Sequence, residues 1–280
     1  MPDQHDRKEL KHLEQEIFRL RKRLNILSAP LAVLLRRRGF QIFSQEPAED
    51  LLLPSKRSLG NFYAMLGKYS FRLFLRDVIK HQESFTKEMV TRYATAGVTG
   101  QYIEFLLSLR LITQKGIGYA VAETHVRSFG GTLEWYVAEV LRREFSAEAV
   151  WGVKFKGRKT GGDYDIIAKL DCALCYIEVK SSPPKQIYES EIAAFLDRIA
   201  DLSPEVAIFL MDTELRMKDK IVPMFEAVLA ARGKGDLSVV RLEKELFHIS
   251  HRIYIINAKY SIAGNMQNVL GRYFRKHDKI

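Results

Sequence analysis

The stretch between Gly130 and Ser182 gathers acids and lysines at spacings that suit metal-assisted chemistry. Asp163 and Asp165 stand two apart in GGDYDIIAKL, so in a strand they share one face. Glu178 and Lys180 hold the same relation in CYIEVKSS. Six residues, Lys169 to Leu174, separate the two apolar runs, short enough for an antiparallel hairpin. Such a hairpin sets Asp165 beside Glu178, with Lys180 next along the face. Buried carboxylates repel one another unless something positive lies between them. A divalent cation with oxygen ligands meets that need, and Lys180 could orient or deprotonate a water bound to it.

These residues need elements to hold them. A helix is expected over 128–145, in which Glu134, Val137, Ala138 and Leu141 fall on or near one stripe. Glu134 then lies at the rim of an apolar face. It either faces the carboxylates or is a surface acid paired with Arg142 or Arg143. Glu139, about 140° further round, points elsewhere. A first strand is expected over 150–155, with Lys154, Lys156 and Arg158 alternating on one face and Val153 and Phe155 on the other. That basic face either holds a phosphodiester or guards a solvated edge. Pro183 and Pro184 stop the strand after Lys180. The pattern then predicts a helix over 186–200, an apolar strand over 206–210, a helix over 219–232, strands near 237–241 and 252–257, and a helix over 264–276.

A helical Glu, an Asp at the head of a strand and Glu-x-Lys on the next strand resemble the restriction-endonuclease-like, or PD-(D/E)xK, nuclease superfamily. The resemblance covers about residues 128–212. It implies an α/β fold with a central mixed sheet flanked by helices and a metal-dependent nuclease using Mg²⁺ or Mn²⁺. Glu134, Asp165, Glu178 and Lys180 match the catalytic positions. Asp165 and Glu178, with Glu134, would be metal ligands. The sequence lacks the proline before the Asp, so Asp163 and Asp165 both stand for that ligand. The family often carries a polar residue at the start of the helix after Glu-x-Lys, a place Gln186 or Tyr188 could fill.

Net charge is +10, which suits a polyanionic partner, nucleic acid above all. The two cysteines, Cys172 and Cys175, imply neither a disulfide framework nor zinc, since no second Cys or His pair stands at ligand spacing. The first residues are charged, and no apolar run approaches the ~20 residues of a membrane span, so a soluble cytoplasmic protein is expected.

Three units are expected: a helical segment over 1–50, a second unit over 51–125 and the nuclease-like unit over 126–280. Leu10, Leu13, Ile17, Leu20, Leu24 and Leu27 predict a helix over 4–27 that is either a homodimer seam or an amphipathic helix on its own domain. The prolines and acids of 45–55 read as a linker. One helix is expected over 58–79. A second, capped by Ser84, is ended by Gly97, and a third follows from a Thr99 cap, then a hairpin around Gly118. That rhythm resembles a winged helix-turn-helix. The resemblance places Gln101 and Tyr102 early in the recognition helix and Lys115 on the wing, gripping duplex DNA. A winged helix that binds protein is the alternative. For the whole chain, a DNA-binding regulator or scaffold with an inactive nuclease-like domain competes with the nuclease.

Overall fold

The computed structural model describes residues 29–47, 51–122, 126–158 and 162–277, with Leu13, Glu16, Arg19 and Leu20 as isolated positions before them. The expected helix over 4–27, apart from those four positions, lies outside the described residues. After α1 (Leu31–Arg37) and the short edge strand β1 (Ile42–Ser44), the chain enters a helical stretch. This comprises α2 (Leu59–Leu66), α3 (Tyr69–Lys80), α4 (Lys87–Val90) and α5 (Ala96–Ser108), closed by the hairpin β2 (Ile112–Lys115) and β3 (Gly118–Val121). There follow α6 (Gly130–Glu144), β4 (Glu148–Phe155), β5 (Tyr164–Leu170), β6 (Ala173–Lys180), α7 (Glu189–Leu202) and β7 (Val206–Met211). The chain continues through α8 (Ile221–Ala231), β8 (Val240–Glu243), β9 (Leu246–Ile249), β10 (Ile253–Asn257) and α9 (Ile262–His277).

Among the described residues, eight strands form one mixed sheet in the order β1-β4-β5-β6-β7-β10-β9-β8. β4, β5 and β6 are an antiparallel meander, whereas β6–β7 and β7–β10 are parallel. The fold is therefore α/β with a central mixed sheet flanked by helices, as expected. β5 and β6 are joined by the two residues Asp171 and Cys172, with Asp171 at φ 52°, a left-handed position that Asp tolerates. Alternation along β6 splits the core. Cys175, Ile177 and Val179 join the apolar cluster containing α6 and α9, and Leu174 and Tyr176 join that of α1, α7 and α8. The first cluster also takes in Phe62, Phe71, Phe74, Tyr102 and Leu106, so the helical stretch and one face of the sheet share a single core.

Four local expectations change. The helix predicted over 58–79 is two helices, because Lys68 is extended between them (φ −83°, ψ 119°). The break frees the carbonyls of Leu66 and Gly67, and the Arg72 guanidinium donates to both, at 2.6 and 3.3 Å. The helix expected from Ser84 is only α4, since Phe85 is extended and bridges Tyr119 of the hairpin. Gly97 lies inside α5, whose N-cap is Thr95, the side chain accepting the Val98 N–H. Thr99 is buried within the helix. The turn of the hairpin falls at Gly116 and Ile117. Gly118 begins β3, where a Cβ would meet the Phe85 carbonyl oxygen at 2.5 Å. The tail also gains β9, the run LFHI, whose His248 stacks on His251 with ring centroids 3.8 Å apart.

Candidate active site

The β5–β6 ladder runs from Leu170↔Ala173 to Ile166↔Ile177. One residue further, a side chain takes over: Asp165 Oδ2 accepts the Val179 N–H at 2.7 Å. β6 meanwhile keeps its pairing with β7 as far as Lys180↔Met211. The strands part at Asp165, and its carboxylate fills the opening.

Glu178 lies on the neighbouring strand and is 2% exposed. Its carboxylate receives Lys180 Nζ on Oε1 at 2.9 Å and Arg198 Nη1 on Oε1 and Oε2 at 3.2 and 3.0 Å, while Tyr176 O–H donates to Oε2. A carboxylate offers about four lone-pair sites, so these contacts occupy Glu178 fully. Lys180 is held on its other side by Glu191 Oε1 at 3.4 Å, and Glu191 Oε2 accepts the Tyr188 N–H at 3.0 Å in the first turn of α7. Burial opposes the charge on Lys180, but Glu178, Asp165 and Glu191 outweigh it and hold its pKa above the ordinary lysine value. Lys180 is thus an ammonium at neutral pH.

Glu134 reaches the same place from α6. Gly152 of β4 sits at φ 57°, and a Cβ there would lie 2.7 Å from Pro47 Cδ and 3.9 Å from Glu134 Oε2. Only a residue without a side chain leaves that passage open. Arg142 and Arg143 both turn to Glu139, at 3.0 and 2.6 Å. Burial, then Asp165 and Asp163, push the Glu134 pKa well above the usual carboxylate range. Burial, then Glu178, do the same to Asp165. For such an acid the folded state holds its proton longer than the unfolded chain. The associated stability is full below the ordinary carboxylate pKa and is lost as pH rises towards the folded value. Glu134→Gln removes one of these titrations. Its thermal midpoint, followed in chelator from pH 5 to 9, is therefore expected to fall less steeply than that of wild type. A parallel fall in both proteins would remove Glu134 from the buried cluster.

The structure thus sets Glu134 near enough to Asp165, Glu178 and Lys180 for their charges to act on it. Asp163 is about half exposed, 3.9 Å from Lys154, while Asp165 is the one inserted between the strands. Lys154 and Lys156 are exposed. β4 ends at Phe155, so Arg158 leaves the strand face. It donates to Asp201 at 3.0 Å and to the Gly39 carbonyl, and lies 3.8 Å from the Phe40 ring centroid. Gln101 is exposed on α5, Lys115 Nζ donates to the Glu83 carbonyl at 2.9 Å, and Tyr102 is buried against Ser70. Gln186 and Tyr188 are exposed, and Glu191 is the α7 residue that reaches Lys180.

Sequence reasoning missed Tyr176, Glu191 and Arg198. Tyr176 was readable, since it shares the alternating face of Glu178 and Lys180. Glu191 and Arg198 are seven apart, two turns of one helix, beside the stripe of Phe195 and Leu196.

The sheet and the divergent strands define a protein of mixed α/β architecture with an acid–lysine cluster between two strand ends. No family model matches the chain, and no curated protein sequence does. Among solved structures it is similar to Can2 from Sulfobacillus thermosulfidooxidans in complex with cyclic tetra-adenylate, at 15% identity and a TM-score of 0.48, over 85% of this chain and 59% of that one. It is also similar to protein VC1899 from Vibrio cholerae, at 14% identity and a TM-score of 0.47, over 89% of this chain and 62% of that one. The chain thus spans about three-fifths of each. Among the described residues, no helix is long and apolar enough to cross a membrane.

Proposed function

We propose that this protein is a metal-dependent nuclease of the PD-(D/E)xK type that hydrolyses phosphodiester bonds in nucleic acid, with DNA as the first substrate to test. The observation that carries the reading is the placing of two under-neutralised, partly buried carboxylates, Glu134 and Asp165, near the Glu178–Lys180 pair where β5 and β6 part. Among the described residues, no three acidic, His or Cys side chains already converge as a metal-holding group. The donor set nevertheless fits a hard divalent ion. Its donors are carboxylate oxygens, and burial leaves two of them short of positive charge. Glu134 and Asp165 would hold Mg²⁺ or Mn²⁺, joined by Glu178 once one of its hydrogen-bond donors turns to substrate.

Such an ion supplies charge against the phosphodiester and lowers the pKa of a water. The chain's own residues do the rest. Lys180, fixed by Glu178 and Glu191, presents a charged donor to the attacking water or to a phosphate oxygen. Arg198 adds a second positive charge on the same side and orients Glu178. Tyr176, its pKa raised by burial, stays neutral and keeps Glu178 in place.

Residues 69–121 support a winged-helix reading. Helix α3, the extended Phe85, α4, α5 and the β2–β3 hairpin follow in that order, and Phe85 pairs with Tyr119 as a third strand would. The competing regulator reading draws on Glu178, whose carboxylate is fully engaged. One experiment separates them. The protein is incubated with circular and linear DNA, and with RNA, plus or minus Mg²⁺ or Mn²⁺. Products should form only with the ion and vanish in chelator. Intact nucleic acid under both ions, with salt-sensitive binding retained, would leave the regulator.

A further inference from the structure

The face of α5 that a winged helix would lay on nucleic acid carries no positive charge. Its exposed residues are Ala96, Gly97, Gln101, Glu104 and Ser108. The basic residues of the helical stretch gather elsewhere. A cavity of about 400 Å³ opens between the end of α3, the α4–α5 loop and the segment that follows Lys180. Arg76, Lys80, Arg92 and Lys185 line it, with Tyr93 at its mouth and Asp77 in its wall. A second cavity, of about 470 Å³, shares Arg76, Tyr93 and Lys185 and continues the groove towards Glu214 and Leu215. The walls are tied together at Arg76, which donates to the Ser181 carbonyl at 2.6 Å. Lys80, Arg92 and Lys185 remain exposed. Tyr93 is 45% exposed, so its ring is open to a ligand in the cavity. Asp77 is 5% exposed, and its Oδ2 is buried without a hydrogen-bond partner among the described residues.

Each feature matches one part of a nucleotide. Four cations suit phosphate oxygens. An exposed aromatic ring offers a stacking platform for a base. A buried, unsatisfied carboxylate oxygen calls for a donor, such as a sugar hydroxyl or a base amino group. The cations, the ring and the carboxylate line one cavity, so a single strand can meet all of them at once. The cavity wall includes Ser181, the residue that directly follows Lys180 in the chain.

We infer that this groove holds a single nucleic-acid strand flanking the bond to be cut, so that the preferred substrate carries an unpaired segment beside the scissile position. The inference rests on the nuclease reading and adds to it the form of the substrate. The helical stretch then grips through the α3–α4 side, not through the outer face of α5.

The test is fluorescence anisotropy in chelator, where no cleavage intrudes. The full chain is titrated with a blunt duplex, the same duplex with a single-stranded overhang, and the single strand alone. The variants are Lys80→Gln/Arg92→Gln, Tyr93→Ala and, as a control for lost charge, Arg36→Gln/Arg37→Gln on the exposed side of α1. All substituted side chains are exposed, and thermal unfolding checks that each variant folds. Wild type should bind the overhang more tightly than the blunt duplex. The Lys80/Arg92 variant should lose that gain and lower the salt slope for the single strand by about 1.4, two phosphates at ~0.7 each. Tyr93→Ala should weaken the single strand at least about fivefold, from ~1 kcal/mol or more per stacked base. The α1 variant should retain the overhang preference. Equal wild-type affinity for blunt and overhanging duplexes, or unchanged binding by the groove variants, overturns the inference and leaves the nuclease reading standing. Displacement of the strand by micromolar adenosine monophosphate overturns it in favour of a free-nucleotide site. Failure of wild type to bind any nucleic acid overturns both.

Discussion

Lys180→Ala is expected to lower the cleavage rate by about 10²–10⁴-fold, the range for removal of a group that assists proton transfer or orients a nucleophile. Binding of metal and nucleic acid should survive. The fold should survive too, because Glu178 keeps Arg198 and Tyr176 when the ammonium is gone. Lys180→Arg should recover little. Its planar fork is wider than an ammonium, and the space between Glu178 Oε1 at 2.9 Å and Glu191 Oε1 at 3.4 Å is set for a point charge. The raised Lys180 pKa makes it a charged donor at neutral pH, so the wild-type rate should show no loss from lysine protonation as pH falls from 8 to 6. Rates are to be compared at saturating Mn²⁺. An alanine variant cutting at the wild-type rate at neutral pH would end the catalytic role of Lys180.

The second large effect is on stability. Arg72 and Asp212 form an ion pair that is almost fully buried, at 1% and 2% exposure. Arg72 Nε and Nη2 stand 2.9 and 2.8 Å from Asp212 Oδ1, while Nη1 caps the end of α2. Asp212 also donates its backbone N–H to the Lys180 carbonyl at 2.8 Å, directly behind the site. Asp212→Ala leaves a guanidinium buried with only carbonyl partners, which costs about 3–5 kcal/mol. A loss of that size lowers the thermal midpoint by ~10 °C. The double change Arg72→Met/Asp212→Leu should restore much of it, since neither charge then remains to be solvated. Chemical denaturation of the three proteins decides the matter. An Asp212→Ala protein within about 1 kcal/mol of wild type would make the pair an incidental contact.

The part of this site that was legible in the sequence is the part written locally. Asp165, Glu178 and Lys180 sit on two adjacent apolar runs, where alternation fixes the face and a short turn fixes the pairing. Glu134 was readable because it interrupts the rim of an apolar helical stripe. Arg198 reaches Glu178 only through the register of α7 against β6, which periodicity alone does not set. Arg72 and Asp212 lie 140 positions apart, and nothing in either neighbourhood names the other. The break between α2 and α3 was hidden for the same reason. A lone glycine in a helix costs only ~1 kcal/mol, and the interruption is stabilised by a side chain that caps across it. The first strand was legible to within two residues, yet Arg158 was misplaced, because the chain turns at Lys156 and stacks the guanidinium on Phe40.

The common core beneath the helical stretch and the sheet has a mechanical consequence. Swinging one part away from the other would strip Phe62, Phe71 and Tyr102 from their neighbours and wet a continuous apolar surface, at about 25 cal/mol for every Å² exposed. The two jaws of the groove are therefore fused. A tool of that kind gauges what is offered to it instead of closing on it. Width, set once at folding, becomes the criterion of admission. It follows that a change of preference would come from altering the side chains that line the gap, Tyr93 among them, without any change in how the halves are joined.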